Sequence, residues 1–358
     1  MKNPEANSKE PTTCTSDIQS RWRSPSNIAL VKYWGKKGPQ IPANPSLSIT
    51  LSACYTETLV NMQEIDSPDP EVEFYLDGQP QPAFAERLRK FCVDLAREKE
   101  FLRYKRLVVH SHNTFPHSAG IASSASGMSA FCLCLASLEE KITGDVKGDF
   151  FREASQLARR ASGSASRSVY GGYVVWGEHP DVPGSSDDFA IPVPWDIHPL
   201  FHGLNDWIVV CDRGEKAVSS RAGHSLMEGH PFARERFNQA FRNISVLRLA
   251  LQSGDWSAFA FLTEHEALTL HAMMLTSRPW FMLMKPQTLL VLEGVRKFRE
   301  QTGTQICFTL DAGPNVHLLF PDSELHHVNE LLMSRDWLNL SPENIIRDKE
   351  GTGPIKLS

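Results

Sequence analysis

Pro116-His-Ser-Ala-Gly-Ile-Ala-Ser-Ser-Ala-Ser-Gly127 is the stretch on which the fold turns. Upstream of it, Leu107 to Val109 forms a short strand, with His110 and His112 alternating near its end. Downstream, an apolar helix starts near Ala122 and runs through Phe131 and Leu135. A small-residue loop between a strand and a helix suits phosphate. Small side chains let backbone N–H groups approach an anion, the helix N-terminus adds a favourable dipole, and Ser123 and Ser124 offer hydroxyls to phosphate or its Mg²⁺. The same composition also suits a helix packed tightly on a sheet, and the Gly-Lys-Ser/Thr ending of a Walker A loop is missing.

Working outward, apolar and polar residues alternate from Ser46 to Met62, and Glu71 to Leu76 with the Asp77-Gly78 turn reads as a hairpin, so this region is antiparallel sheet. Phe84, Leu88, Phe91 and Leu95 recur at helical spacing, and a further helix spans Phe150 to Arg160 before a strand at Tyr173 to Trp176. Glu178 to Asp188 is a Pro/Gly/Ser/Asp-rich loop, and a domain boundary is expected soon after it. Beyond Trp207 to Cys211 come long helices (Phe232 to Leu251, Trp256 to Met274, Gln287 to Gln301) and the strand pair Gln305 to Leu310 and Val316 to Phe320. Runs of strands with helices segregated, rather than strict alternation, give an α+β class. The expected division is a disordered leader over 1–20, rich in Ser, Thr, Pro and charge, then domains over 21–190 and 191–358.

Composition bounds the function classes. A chain of 358 residues favours two domains, and 41% hydrophobic with 22% charged residues is an ordinary globular balance. The net charge of −5 is spread without a basic stripe, so no nucleic-acid partner is expected. No run reaches the ~18 apolar residues of a spanning helix, and the N-terminus is too polar for a signal peptide. A soluble, cytoplasmic protein with no membrane partner follows. Of the seven cysteines, Cys92, Cys132, Cys134, Cys211 and Cys307 sit among apolar neighbours and read as reduced core residues. The thirteen histidines form no metal-like set.

Three more segments carry charge in suggestive places. Asn27-Ile-Ala-Leu-Val-Lys32-Tyr-Trp-Gly-Lys36-Lys37 ends an apolar strand in lysines; a solvated edge would look the same. Ser162-Gly-Ser-Ala-Ser-Arg167 sets one guanidinium after tiny residues, where it can fork onto a carboxylate, although a Ser-rich turn with an exposed arginine is the plainer account. Asp311-Ala-Gly-Pro-Asn315 follows an apolar strand; it is a respectable β-turn, yet a strand end also presents a carboxylate rigidly.

Together and in this order, the four segments resemble the diphosphomevalonate decarboxylases of the galactokinase/homoserine/mevalonate/phosphomevalonate (GHMP) kinase superfamily. The resemblance covers residues 23–353, including Val218-Ser-Ser-Arg-Ala-Gly223 and Gly351-Thr-Gly-Pro354. It implies a GHMP-kinase-like two-domain α+β fold, ATP-binding in its N-terminal domain, with the active site in the inter-domain cleft and commonly a homodimer. It also implies ATP as co-substrate, with Mg²⁺ arriving on it and no dedicated metal site. The implied reaction phosphorylates the 3-hydroxyl of (R)-5-diphosphomevalonate, then loses that phosphate with CO2 to leave isopentenyl diphosphate. Asp311 would orient the hydroxyl and take its proton, Lys32 would sit beside it near the transferred phosphate, and Arg167 would hold the substrate carboxylate. Tyr33, Trp34, Gly35, Lys36, Ser162, Gly163, Ser164, Ala165, Ser166, Ser220 and Arg221 would wall the substrate, with Lys36 and Arg221 on the diphosphate. Ser111 and Asn113 would lie near the adenosine, and Gly120, Ile121, Ala122, Ser123 and Ser124 would wrap the phosphates, with Ser123 or Ser124 able to reach the Mg²⁺.

Two departures from the family pattern stand out: Glu228-Gly-His230-Pro231 replaces the Thr-Ser pair of many relatives, and His224 replaces the usual methionine. They leave contacts to the substrate tail, and its number of phosphates, open. A phosphomevalonate decarboxylase or a mevalonate-type 3-kinase is the nearest alternative, and a non-catalytic small-molecule sensor the more distant one. Retention of Asp311, Lys32 and Arg167 favours decarboxylation over both.

Overall fold

The computed structural model describes residues 18–115, 121, 123–144, 148–214, 220–333 and 342–358, without the side chains of 220–222 and 342. The expected leader lies outside the described residues up to position 17. Its last three residues do not belong to it, because strand β1 (Ile18–Val31) already includes them. Ser20 and Trp22 point inward along that strand, and Trp22 is buried in the core, so the alternation that makes a strand begins earlier than composition suggested.

After a small hairpin, β2 (Lys36–Gly38) with β3 (Ile41–Pro42), comes β4 (Ser46–Glu64), which pairs antiparallel along β1. The hairpin expected near Asp77 is present as β5 (Glu71–Leu76) and β6 (Gln79–Pro80), with Asp77 and Gly78 both at positive φ (51° and 76°). That geometry is the two-residue turn that asparagine, aspartate and glycine favour. Strands β7 (Lys105–Asn113), β8 (Tyr173–Trp176) and β9 (Ala190–Pro192) complete the sheet, with β7 running parallel to β5 and antiparallel to β4. Helices α1 (Pro82–Leu95), α2 (Ser123–Thr143) and α3 (Phe150–Ala161) contribute to one core with this sheet. In α2 every residue from Met128 to Leu138 is buried, which explains why its apolar run shows little amphipathic period. Asp149 caps α3 by accepting from the N–H groups of Phe151 and Arg152.

The second half holds β10 (Asn205–Val209), the short α4 (Ser220–Ser225), and three long helices, α5 (Ala233–Ser253), α6 (Trp256–Thr276) and α7 (Pro286–Thr302). Strands β11 (Cys307–Thr309) and β12 (Val316–Phe320), helix α8 (Leu325–Met333) and strand β13 (Ile345–Lys349) follow. The sheet order is β11-β12-β10-β13, antiparallel throughout. Gly254 and Gly303 end α5 and α7 in the left-handed conformation.

The two sheets meet closely. Leu30, Val31, Leu47 and Ile49 of the first share a core with Cys307 and Leu319 of the second and with Ile244, Leu247 and Phe259 of the helices α5 and α6. Asp348 accepts from the N–H groups of Ser52, Ala53 and Cys54, stitching β13 to the middle of β4. The last strand, β14 (Ile355–Lys356), does not stay with the second half as the 191–358 division expects. It pairs with β1, Trp22 opposite Lys356, and so occupies hydrogen-bonding positions that would otherwise form an open edge. Among the described residues no helix is long and apolar enough to cross a membrane.

Candidate active site

Between the sheets lies a cavity of about 710 Å³. Its wall takes Asn27 and Ala29 from β1, Tyr33, Trp34 and Lys36 from the segment after it, Thr56 and Thr58 from β4, and Ser111 and Asn113 from β7. Ser123 and Ser124 enter from the first turn of α2, Ser162, Gly163, Ser164 and Arg167 from a 3-10 stretch (Gly163–Val169), His224 from α4, and Asp311 with Ala312 from the bend after β11. The four segments singled out in the sequence thus converge on one space.

Three charges are coupled here: Arg167 and Asp311 line the cavity, whereas Lys32 is buried beside them and is not among its lining residues. Lys32 is 1% exposed, and its Nζ donates to the carbonyl of Ala29 at 2.6 Å. Burial lowers its pKa to about 8, against the opposing pull of Asp311 first and Glu266 second. Arg167 is also buried; burial brings its pKa down to about 10, again opposed chiefly by Asp311. Its Nε donates to Asn27 Oδ1 at 3.3 Å and its Nη1 to Ser46 Oγ, so the guanidinium is aimed and its Nη2 has no protein hydrogen bond among the described residues. Asn27 is held in turn by donating to Ser168 Oγ at 2.7 Å.

One end of the cavity is aromatic. The His224 ring packs 4.2 Å from Tyr33 and 4.7 Å from Trp34, centroid to centroid, and its Nδ1 accepts the Gly35 N–H at 3.0 Å. Burial, then the nearby Lys36, lowers its pKa to about 3, so the ring is neutral and that bond fixes its tautomer. The Tyr33 hydroxyl is buried and has no hydrogen-bond partner among the described residues, with its pKa pushed up by the same desolvation. Gly35, at φ 96°, turns away: a Cβ there would stand 2.7 Å from the Phe237 ring.

The opposite end is apolar, lined by Phe74, Phe84, Leu88, Met128 and Phe131, with hydroxyls on its rim. Thr56 donates to Asn113 Oδ1 at 2.7 Å and Thr58 shares a hydrogen bond with Ser111 at 3.1 Å.

Not every expected residue faces this space. Ala165 belongs to the core, and Ser166 spends its hydroxyl on the Gly163 carbonyl at 2.8 Å, so this stretch presents Ser162, Gly163, Ser164 and Arg167 to the cavity but not the two residues between. Ile121 packs among Ile28, Leu51 and Phe115, while its carbonyl accepts from Ser26. Gly120 and Ala122, and the side chains of Ser220 and Arg221, lie outside the described residues. Conversely, sequence reasoning gave no role to Asn27, Thr56 and Thr58. Asn27 was within reach, since it opens the lysine segment; the threonines alternate on an ordinary strand and carry no local signal.

Residues 24–190 match a family described as the diphosphomevalonate decarboxylase-like N-terminal domain, and residues 207–351 match the mevalonate 5-diphosphate decarboxylase C-terminal domain. A diphosphomevalonate decarboxylase of Schizosaccharomyces pombe is 32% identical over 314 residues, 83% of this chain and 77% of that protein. The solved structure of MDDEF in complex with MVAPP, AMPPCP and magnesium is similar at TM-score 0.82 and 29% identity, over 96% of this chain and 100% of that one. The mevalonate diphosphate decarboxylase from Staphylococcus aureus is similar at TM-score 0.82 and 28% identity, over 96% and 98%. This chain therefore belongs to the diphosphomevalonate decarboxylase family.

Proposed function

We propose that the chain converts (R)-5-diphosphomevalonate and ATP to isopentenyl diphosphate, ADP, phosphate and CO2 in the mevalonate pathway, with Asp311, Lys32 and Arg167 as its catalytic residues. The supporting observation is that the Asp311 carboxylate faces the cavity within electrostatic reach of two buried cations whose charge it sustains. Asp311 orients the 3-hydroxyl and accepts its proton as the γ-phosphoryl group transfers; positioning matters more than basicity in a dissociative transfer. Lys32 offsets the charge that moves onto the new phosphoester. The C3–O bond then breaks with its electron pair leaving on phosphate, and the C1–C2 pair becomes the new C2=C3 double bond as CO2 departs. Arg167, its Nε and Nη1 committed to Asn27 and Ser46, holds the carboxylate so that the C1–C2 bond aligns with the leaving group.

The diphosphate tail is assigned to Lys36, Tyr33, Trp34, Ser162, Gly163 and Ser164, together with Ser220 and Arg221. ATP is assigned to the opposite end: its base to the apolar pocket beside Ser111 and Asn113, its phosphates to Ser123 and Ser124 at the start of a 21-residue helix. The hydroxyl-bearing donor set there fits a hydrated Mg²⁺ that arrives with the nucleotide, as the magnesium and AMPPCP of the MDDEF complex suggest. Magnesium would neutralise phosphate charge.

The finer organisation is also proposed. Residues 21–190 and 191–358 form the two domains, apart from the returning β14. Phe261, Leu268 and Leu275, seven residues apart on α6 and all exposed, form an apolar stripe suited to a homodimer. Among the described residues, six buried or half-buried cysteines without disulfides suit the reducing cytoplasm. Incubating the protein with ATP, Mg²⁺ and mevalonate, its 5-phosphate or its 5-diphosphate, and following CO2 and ADP separately, tests the reaction. ADP without CO2 would establish a kinase, and CO2 from the monophosphate alone would reassign the substrate.

A further inference from the structure

Lys32 and Asp311 belong to different sheets, one residue beyond β1 and two beyond β11, where no strand ladder fixes either. Side chains, most of them from the second half, hold them instead. The Lys32 N–H donates to Glu266 Oε2 at 2.9 Å, and its carbonyl accepts from Asn44 Nδ2 at 2.9 Å and Arg236 Nη2 at 3.2 Å. Glu266 is fully buried; Arg236 forks onto it at 3.0 and 2.5 Å and Asn243 adds a bond at 2.6 Å. Five residues along the same helix, His271 Nε2 donates to the Asp311 carbonyl at 3.2 Å.

We propose that helix α6 is the bracket that sets the separation of Lys32 and Asp311, with Glu266 and His271 as positioning residues for the two catalytic groups. The inference rests on the roles assigned to Lys32 and Asp311 above. A helix rises ~1.5 Å per residue, so one stiff rod holds its two attachment points about 7.5 Å apart along its axis. Packing alone does not require the polar attachments, since α6 already buries Phe259, Leu262, Ala267 and Leu270. Nor is a buried ion pair a natural source of stability: apolar residues of similar shape often replace one without loss. What the polar groups add is a fixed place for two particular main-chain units. Burial lowers the pKa of His271 to about 4, so it donates to Asp311 without putting a second cation beside Lys32.

The test uses His271→Phe, which keeps a ring but no donor, and His271→Gln, whose side-chain amide can still donate, in the full chain. For His271→Phe, kcat should fall ~10–100-fold, since misplacement by about 1 Å can cost 10²-fold, while both KM values stay within about twofold. Its alkaline limb should move to lower pH, because Lys32 loses proximity to Asp311 while Glu266, Arg167 and Asp206 remain in place. His271→Gln should recover most of the turnover and the original limb. An unchanged kcat in His271→Phe, or a loss that Gln does not rescue and that leaves the limb unmoved, overturns the bracket. If the Phe variant does not fold, a low turnover in folded His271→Gln overturns it alone. Asp311→Asn, run alongside, separates the premises: if it is fully active, the assignment of Asp311 fails; if it is inactive while His271→Phe is normal, only the bracket fails.

Discussion

Replacing Asp311 by asparagine removes a charge from a site in which two buried cations depend on it. The side chain keeps its size, and the main chain of the bend keeps its bonds from Gly313 N–H at 2.7 Å and from His271 at 3.2 Å, so the backbone should hold. Removal of a general base costs ~10²–10⁴-fold in rate. A second loss adds to it. Asp311 is the strongest factor holding up the pKa of Lys32 against burial, and the value with Asp311 present is about 8. At that value about nine lysines in ten are charged at pH 7, and each further unit of depression removes charge steeply. Turnover should therefore fall by at least ~10²-fold at pH 7, and the residual activity should have its alkaline limb displaced toward neutrality. CO2 release from the diphosphate substrate measures the first effect, and calorimetric titration checks that ATP, assigned above to the far end of the cavity, still binds. If Asp311 only shapes a turn, asparagine is among the best replacements, and near-normal CO2 release would refute the mechanism.

In the unmodified protein kcat should decline as pH rises through about 8, where Lys32 loses its proton. Stability should move the other way: with the folded pKa below the ordinary lysine value of 10.5, the cost of a buried ammonium applies below about 8 and is relieved toward 10.5, so a pH series of melts separates the two trends. Ser124→Ala should lower turnover per folded molecule far more than thermal stability; intact turnover with a core-like loss of stability would make the serine a packing residue. Lys36→Ala should raise the KM for the diphosphate substrate more than it lowers kcat, as expected for a contact present equally in ground and transition states; unchanged substrate binding would remove it from the tail pocket. His224→Leu leaves the buried Gly35 N–H without its acceptor and should cost ~1–3 kcal/mol in denaturant unfolding, so an unchanged midpoint would discount that bond.

What the sequence made legible follows from how local each signal is. The long helices carry their pattern within one or two turns, and the Asp77-Gly78 turn needs only two residues, so both were readable. β14 is two residues long and finds its partner more than 330 positions away, at Trp22, so nothing local marks it. The parallel pairing of β5 with β7 is hidden for a related reason: antiparallel hairpins announce themselves by their turns and parallel pairs do not. Within the site, the four motif strings were legible because their small and charged residues are unusual in a core. Ala165, Ser166 and Ile121 were carried along by belonging to those strings, and the fold turns them inward. Glu266 and His271 had no such company; one reaches its partner across 234 positions and the other across 40, on a helix that otherwise reads as plain core.

The charge arrangement explains why these particular residues occur together. Burial draws the pKa of both Lys32 and Arg167 down, yet in the proposed mechanism each meets its anion, phosphate or carboxylate, as a cation. Asp311 opposes that drift for both. Within this trio the two cations still outnumber the carboxylate by one, and adding further carboxylates would repel an anionic substrate. A substrate that brings its own carboxylate to Arg167 supplies the missing negative charge at the point where it is needed. Once that carboxylate leaves as neutral CO2, the compensation disappears with it, so the site that stabilised the substrate binds the decarboxylated product with one ionic contact fewer. On the proposed roles, the imbalance that recruits the substrate would thereby also favour release after the chemistry.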